Sequence, residues 1–206
     1  MKKITIILLL FISGTLSAQD IVLPKPQTSG GTPLMDALNA RRTGRSFSAQ
    51  ELTQAQLSNL LWAANGVNRP DGKRTAPSAG DSQEIDVYVF LKTGVYLYDA
   101  AANKLLQKSK TDARKSVGAQ PFVETAPVIL VFVGNFDKMP RFNEESKDFY
   151  ATTDVGFVSQ NVYLFAASEG LATVVLGMIK KDELATLLEI KNGKLLLGQP
   201  VGYPGK

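Results

Sequence analysis

The segment "APVILVFVGN" (126–135) is almost continuously apolar. A strand with one face in water alternates apolar and polar side chains, so an unbroken apolar run predicts a strand that is buried on both faces. Such a strand belongs at the centre of a sheet. The segments "IDVYVFLK" (85–92) and "KLLLGQPVGYP" (194–204) predict further strands, and "GVYLYDAAANKLLQKSK" (94–110) predicts a hairpin.

Two helices are predicted before these strands. The pair Thr32-Pro33 has the cap and first-turn residues of a helix start, which predicts a helix over 33–41. Its apolar side chains are expected to be buried: Leu34, Ala37 and Leu38. A second helix is predicted over 53–65, where Thr53 opens a capping box.

The other predicted elements mix helices with strands. Helices are predicted over 111–118, 151–169 and 180–190, a buried strand over 171–178, and a long loop over 67–84. Two helices followed by strands mixed with helices predict a mixed α+β sheet. A loop as long as 67–84 is usually functional in a compact domain.

The N-terminus has the pattern of a secretory signal peptide. Lys2 and Lys3 are basic, 4–12 is apolar apart from Thr5, and small residues end the pattern at 17–18. The apolar run is shorter than the ~20 residues that a membrane span requires. We expect a signal peptide over 1–18, a secreted or periplasmic protein, and no membrane segment after cleavage. The alternative is a buried N-terminal strand.

The rest of the chain predicts an extended leader and one domain. Residues 19–32 hold two prolines and two glycines, which indicates a leader, and 33–206 suits a single core. Loss of Lys2 and Lys3 leaves 21 Lys and Arg against 19 Asp and Glu. A chain so close to neutral lacks the basic footprint of a nucleic-acid-binding protein, so no nucleic-acid partner is expected.

The chain contains no cysteine and no histidine. Their absence excludes thiol nucleophiles, Ser-His-Asp and Cys-His catalysis, and thiolate or imidazole metal sites. No metal is therefore expected. An enzyme of this composition would take its chemistry from carboxylates or from a bound cofactor.

The segment "NARRTGRSF" (39–47) places Arg41, Arg42 and Arg45 within five positions. If the first helix frays there, the three guanidinium groups can converge on one anion, and Thr43 adds a hydroxyl. The planar guanidinium group suits phosphate because it donates two parallel hydrogen bonds. The alternative is a solvated helix end, where cations complement the helix dipole.

Two further segments bring small residues to places where a ligand could approach. "TAPSAGDSQ" (75–83) lies in the long loop just before a strand, and small residues let the backbone approach a flat ligand closely. "EGLATVVLG" (169–177) is a predicted strand that ends in glycine, which often marks a close approach. Each segment alone is also compatible with an ordinary turn.

Taken together and in this order, the motifs resemble those of the nitroreductase family of flavin oxidoreductases. Four segments carry the resemblance: "RRTGRSF" (41–47) to the family's "RRSxRxF", "PSAGDSQEI" (77–85) in part to "PSxxNxQPW", "GLATVVLG" (170–177) to "GLGxxxxG", and "GYP" (202–204) to a C-terminal "GYP". The small branch that includes azoline oxidases (SagB-type) is similar in three segments: "LLWAANG" (60–66), "PSAG" (77–80) and "GVYLYD" (94–99).

The resemblance implies a nitroreductase-like fold, with a central mixed, mainly antiparallel sheet flanked by helices, and FMN as the cofactor. The FMN phosphate and the polar edge of the ring would be held by Arg41, Arg42, Thr43, Arg45 and Lys206. The ring would be lined and hydrogen-bonded by Pro77, Ser78, Ala79, Gly80 and Gln83. Backbone N–H groups near flavin N5 would come from Leu176 and Gly177.

The resemblance also implies a function. It implies an FMN-dependent oxidoreductase that moves a hydride through flavin N5 by a ping-pong mechanism, with a nitroaromatic, quinone or similar electron-poor acceptor. No catalytic side chain is required. NAD(P)H is a candidate donor, and a homodimer is expected. Because nicotinamide cofactors are scarce outside the cytoplasm, a secreted flavin oxidase or dehydrogenase that uses oxygen stays open, as does a protein that binds FMN or another phosphorylated ligand without turnover.

The chain departs from the family motif at two acids. Asp81 stands where the family often has Asn, and Glu84-Ile85 stands where it has Pro-Trp. We expect acids beside a ring that becomes anionic to make its reduction harder. Substrate contacts are expected from the loop after Asn65 and from 136–150. The candidates there are Arg69, Arg74, Arg141, Phe142, Phe149 and Tyr150.

Overall fold

The computed structural model describes residues 19–206, so the predicted signal peptide lies outside the described residues. Its centre is a seven-stranded sheet in the order β1-β4-β3-β2-β5-β7-β6. The strands are β1 Ile21–Val22, β2 Ile85–Leu91, β3 Gly94–Asp99, β4 Lys104–Ser109, β5 Val128–Asn135, β6 Ala172–Thr173 and β7 Gly193–Gly202. The helices are α1 Leu34–Ala40, α2 Gln54–Asn65, α3 Glu144–Ser168 and α4 Lys181–Leu187. Between residues 19 and 206, none of the helices is long and apolar enough to span a bilayer.

Strand β5 lies near the middle of the sheet, as its apolar run predicts. It pairs antiparallel with β2 on one side and with β7 on the other. Leu130 and Phe132 belong to the core under α2 and α3, whereas Ile129 and Val131 belong to the core under α4. The predicted α+β architecture is confirmed, and all strand pairings among the described residues are antiparallel.

The first helix is shorter and less buried than predicted. α1 ends at Ala40 and buries only Ala37, while Leu34 and Leu38 are 62% and 44% exposed. The prediction that both leucines are buried is wrong, because α1 packs mainly against α3 and only one of its faces is covered. Since the helix stops at Ala40, the three arginines that follow lie in a loop and not on a helix face.

The long helix begins earlier than the predicted 151–169. α3 starts at Glu144, because the Asn143 side chain accepts a backbone N–H of the first turn at 2.8 Å. Apolar periodicity misses this start because its first turn is acidic and a cap residue decides where it begins. Phe149 and Tyr150, which were expected in a substrate loop, therefore lie on α3.

Two other predicted elements are shorter in the structure. The predicted helix 111–118 is a single 3-10 turn at Arg114–Ser116. The carboxylate of Asp112 accepts hydrogen bonds from the next residue but one, which favours a turn over a helix. The predicted strand 171–178 is reduced to β6 and one isolated bridge at Leu176.

The segment predicted as a leader is extended and contacts the domain. β1 pairs antiparallel with β4 at the edge of the sheet. Leu23 is buried, and the carbonyl of Pro24 accepts a hydrogen bond from the Ser58 hydroxyl at 2.6 Å. These contacts cover the backbone edge of β4, which would otherwise be open to pairing.

Candidate functional site

The loop that follows α1, residues 41–46, is called the arginine loop below. It forms one wall of a cavity of about 380 Å³. Arg42, Arg45 and Ser46 line the cavity from this loop, and Pro204 and Gly205 line it from the C-terminal tail. The rest of the lining comes mainly from the end of α3 and from β6, and consists mostly of small or apolar residues: Tyr163, Ala166, Ala167, Gly170, Leu171 and Ala172. Two guanidinium groups beside such a lining fit a ligand with an anionic group and an uncharged body.

Backbone contacts hold the arginine loop in place. The N–H of Gly44 donates to the carbonyl of Thr173 at 2.9 Å, and a Cβ at Gly44 would lie 2.9 Å from the Cβ of Ala172. The N–H of Gly205 donates to the carbonyl of Ser46 at 2.9 Å. The position of the loop therefore depends on main-chain hydrogen bonds and on glycine at position 44.

Tyr163 connects three parts of the site. Its hydroxyl lies 3.2 Å from Thr43 Oγ1 and accepts the backbone N–H of Val175 at 3.0 Å. The guanidinium carbon of Arg41 lies 5.3 Å from the centre of the Tyr163 ring, in a cation–π arrangement. Arg41 and Thr43 thus face Tyr163, while the other two arginines line the cavity. Sequence reasoning missed Tyr163. The signal that could have found it is a side chain with a polar hydroxyl next to the apolar stripe of α3.

The predicted residues after β6 and at the C-terminus lie close to the arginine loop. Leu176 is buried, and its backbone N–H already donates to the carbonyl of Gly198 at 2.7 Å. Gly177 is exposed, with open space where a side chain would be. The carbonyl of Lys206 accepts a long hydrogen bond from the Ser46 hydroxyl at 3.4 Å, which places the backbone of this C-terminal residue beside the arginine loop.

The other predicted site residues lie in a separate loop beside the first half of α3. This loop, 77–83, contains Pro77, Ser78, Ala79, Gly80 and Gln83. The backbone N–H of Ala79 donates to the carboxylate of Asp154 on α3 at 2.8 Å. The carboxamide oxygen of Gln83 accepts from Arg74 at 2.8 Å. Arg74, expected as a substrate contact, therefore supports the loop from within the chain.

The backbone of this loop is left-handed at three positions. Gly80, Asp81 and Gln83 have φ angles of 58°, 56° and 50°. The left-handed region is sterically unfavourable for Gln83, so other contacts must hold its backbone there. One such contact is the Ser78 hydroxyl, which accepts the backbone N–H of Gln83 at 2.9 Å. The guanidinium group of Arg141 also donates to the carbonyl of Gly80 at 2.8 Å. Asp81 tolerates the left-handed region as Asn does, so this departure from the family motif preserves the backbone.

The cavity and the loop 77–83 are separate within one chain. Asp154 anchors the loop, and Tyr163 lines the cavity. The two residues are about 13 Å apart along the axis of α3. Among residues 19–206, those that line the cavity include no member of the loop.

Glu84, which sequence reasoning noted only as a departure from the motif, is completely buried. Neither of its carboxyl oxygens receives a hydrogen bond from the described residues. Burial, and after it the nearby carboxyl group of Asp154, raises the pKa of Glu84 to about 7, while the Lys138 ammonium opposes the rise. Asp154 could have been noticed in the sequence, because it is a charged residue between Ala151 and Val158 on the buried face of α3.

Comparison with known proteins assigns the family. The Nitroreductase family matches residues 38–203, and the chain belongs to this family. A protein of Methanocaldococcus jannaschii that is named as a nitroreductase is 34% identical over 179 residues, which cover 82% of this chain and 90% of that protein. The crystal structure of a protein described as a nitroreductase from Ralstonia eutropha superposes with a TM-score of 0.86 at 39% identity, covering 91% of this chain and 90% of that one.

A more distant relative is an FMN reductase [NAD(P)H] of Bacillus subtilis, 24% identical over 186 residues, which cover 83% of this chain and 66% of that protein. The family inferred from the motifs and the nitroreductase-like fold are therefore confirmed. The chain belongs to a family of oxidoreductases that generally depend on FMN.

Proposed function

We propose that the protein is an FMN-dependent oxidoreductase whose arginine-lined cavity holds the phosphate-bearing part of the cofactor. The observation that carries this proposal is the placement of Arg42 and Arg45 beside a lining of small and apolar residues, in a cavity of about 380 Å³. The phosphate of FMN is a dianion, which guanidinium groups bind through paired hydrogen bonds. The name of the Bacillus subtilis relative, an FMN reductase, supports the same cofactor.

Bound FMN would supply the redox chemistry, a hydride transfer at N5 between a donor and an acceptor in ping-pong order. The side chains would bind and orient the cofactor. A guanidinium group near the polar edge of the ring would stabilise negative charge there. We propose a nitroaromatic, quinone or similar electron-poor compound as acceptor, and NAD(P)H, which the name of the same relative includes, as a donor.

We also propose that two copies of the chain complete each site as a homodimer. The loop 77–83 and the arginine cavity lie apart within one chain, so the predicted ring contacts and phosphate contacts do not meet there. Exposed apolar side chains on α1 and α3 offer a surface for the second copy: Leu34, Met35, Leu38, Phe149 and Phe157. The loop of one copy would then lie against the cavity of the other.

Two finer proposals rest on the sequence. The signal-peptide pattern over 1–18 supports a secreted or periplasmic enzyme, which would run as an oxidase that passes electrons from a substrate through the flavin to oxygen. The motifs at 60–66, 77–80 and 94–99 support membership of the azoline-oxidase-like branch. N-terminal sequencing of the protein from a periplasmic extract tests the first proposal, and a mature chain that keeps residues 1–18 would contradict it.

An anaerobic reduction experiment tests the proposed function. The protein is loaded with FMN, freed of unbound flavin, and titrated with NADH or NADPH in the absence of oxygen. We expect the flavin absorbance to bleach and to return when a quinone or oxygen is added. Bound flavin that no donor reduces would indicate a binding protein without turnover. A colourless protein that cannot be reconstituted with FMN would contradict both readings.

A further inference from the structure

A buried pair of carboxyl groups supports the loop 77–83. Asp154 lies on α3 and is 4% exposed, and one of its oxygens accepts the backbone N–H of Ala79 at 2.8 Å. Glu84 comes directly after the loop and is 0% exposed. The carboxyl group of Asp154 acts on Glu84 through hydrogen bonding and through its charge, and both effects raise the pKa of Glu84. The pair therefore contacts the loop at its third residue and at its end.

The hydrogen bonding around Glu84 requires a proton. Neither of its oxygens has a hydrogen-bond partner of good geometry among the described residues, and the backbone N–H of Glu84 itself lowers its pKa only in part. A buried carboxylate without well-placed donors is very costly, and a second carboxyl group nearby adds repulsion, so Glu84 favours its protonated form. Burial accordingly raises the pKa of Glu84 to about 7. The proton turns Glu84 into a hydrogen-bond donor for which Asp154 is the acceptor.

The cation nearest to the pair does not replace this proton. The ammonium group of Lys138, in the turn after β5, donates to the carboxylate of Asp86 at 2.6 Å and to the carbonyl of Gln83 at 3.3 Å. The charged groups that act on Glu84 are thus Asp154 from α3 and Lys138. Asp86 of β2 forms an ion pair with Lys138 and neutralises much of its positive charge.

We propose that Glu84 keeps a proton and donates it in a hydrogen bond to Asp154, and that the two act together as positioning residues for the loop 77–83. Glu84 donates to Asp154, and Asp154 holds the N–H of Ala79. This chain of hydrogen bonds keeps the loop in its left-handed backbone at Gly80, Asp81 and Gln83. When the proton leaves, two negative charges face each other under the loop, and the loop loosens.

The consequence for the cofactor rests on the proposed function. If the loop lines the flavin, FMN affinity falls as the pH rises through the range in which the proton of Glu84 is lost. The shape of the loop itself depends on the pair whether or not FMN binds. The two claims can therefore be measured separately on the same protein.

Amide hydrogen exchange over the loop, in the full protein without added FMN, tests the inference at pH 5.5 and pH 8.5. In the unmodified protein, the protection factor of the loop peptide is expected to be about tenfold lower at pH 8.5. Glu84→Gln keeps a donor toward Asp154 and cannot titrate, so the loop should stay protected at both pH values. Glu84→Met has no donor, so protection should be low at both. Glu144→Gln, an exposed acid on α3, is the matched control and should behave as the unmodified protein does.

Two results would overturn the inference: a Glu84→Gln protein that keeps the pH dependence of the unmodified protein, or a Glu84→Met protein that is as well protected at pH 5.5. If Glu84→Met does not fold, the Glu84→Gln comparison decides alone. FMN titrations at the same pH values separate the two proposals. Exchange that follows the expected pattern in a protein that never binds FMN would support the role of the Glu84 proton and contradict the proposed function.

Discussion

The arginine loop and the loop 77–83 are both predicted to touch the cofactor, but different forces hold them. Main-chain hydrogen bonds and the close packing of Gly44 against Ala172 hold the arginine loop. Side chains with charged or titratable groups hold the loop 77–83, among them Asp154, Arg141 and Arg74. The arginine loop is thus held mainly by its backbone, whereas the second loop depends on charged side chains for its shape. Charge changes and pH should therefore affect the two regions differently.

The largest expected effect is on the second region and comes from pH. Glu84 keeps its proton up to about pH 7 when folded but loses it near 4.5 when unfolded. Its contribution to the free energy of unfolding is fully present below about pH 4.5 and is lost as the pH rises toward 7. With one pKa unit worth about 1.4 kcal/mol, the loss is about 3 kcal/mol at most. Urea unfolding at pH 5 and pH 8 measures it; Glu84→Gln should abolish this part of the pH dependence, and an unchanged dependence would contradict the account.

The next effect concerns the first region and separates the roles of its arginines. Arg42→Met and Arg45→Met should each lower FMN affinity by about 10- to 100-fold, since a hydrogen bond to a charged group contributes about 1.5–3 kcal/mol. Neither change should alter the melting temperature of the unliganded protein by much. Fluorescence titrations with FMN and with riboflavin, which lacks the phosphate, give the comparison. An arginine that binds phosphate affects FMN alone, one that binds the ring affects both ligands, and no effect on either would indicate a solvated loop.

A smaller effect is expected from Tyr163→Phe, which tests the link between the arginine loop and the segment after β6. The change removes the hydroxyl that accepts the N–H of Val175 and contacts Thr43. We expect the free energy of unfolding to fall by about 1 kcal/mol, because a partly buried N–H loses its acceptor. Thermal denaturation measures the loss. Thr43→Val is the matched control, since it removes the second contact and keeps the first, and it should cost less.

The smallest effect is expected from Asp81→Asn. Both residues tolerate the left-handed backbone at this position, so stability should change by less than about 0.5 kcal/mol. If the flavin lies beside the loop, removal of this exposed negative charge should raise the midpoint potential of bound FMN. Potentiometric titration of both proteins measures this midpoint potential. Identical potentials would indicate that Asp81 does not lie near the flavin ring.

The sheet could be predicted from the sequence because its signals are local. The apolar run of β5 and the hairpin of β3 and β4 each lie within one short segment, and the structure has both. The start of α3 was missed because a cap residue, Asn143, decides it, not apolar spacing. Arg41 was grouped with the other arginines because the three lie within five positions, whereas its contact with the Tyr163 ring depends on the fold.

The contacts within the candidate site could be predicted least. Sequence position brings Glu84 next to the loop, but only the fold brings it to Asp154 on a helix far along the chain. The same holds for Tyr163, whose hydroxyl joins Thr43 to Val175 through tertiary contacts. Residue types can suggest what a ligand requires, whereas which side chains meet depends on packing between distant segments.

A crystal structure of the protein with FMN tests the central claim most directly. The account predicts the phosphate against Arg42 and Arg45 in the cavity of one copy, with the loop 77–83 of a second copy beside the ring. Flavin bound away from the arginine loop, or held wholly by one chain with the loop 77–83 distant from it, would contradict the account.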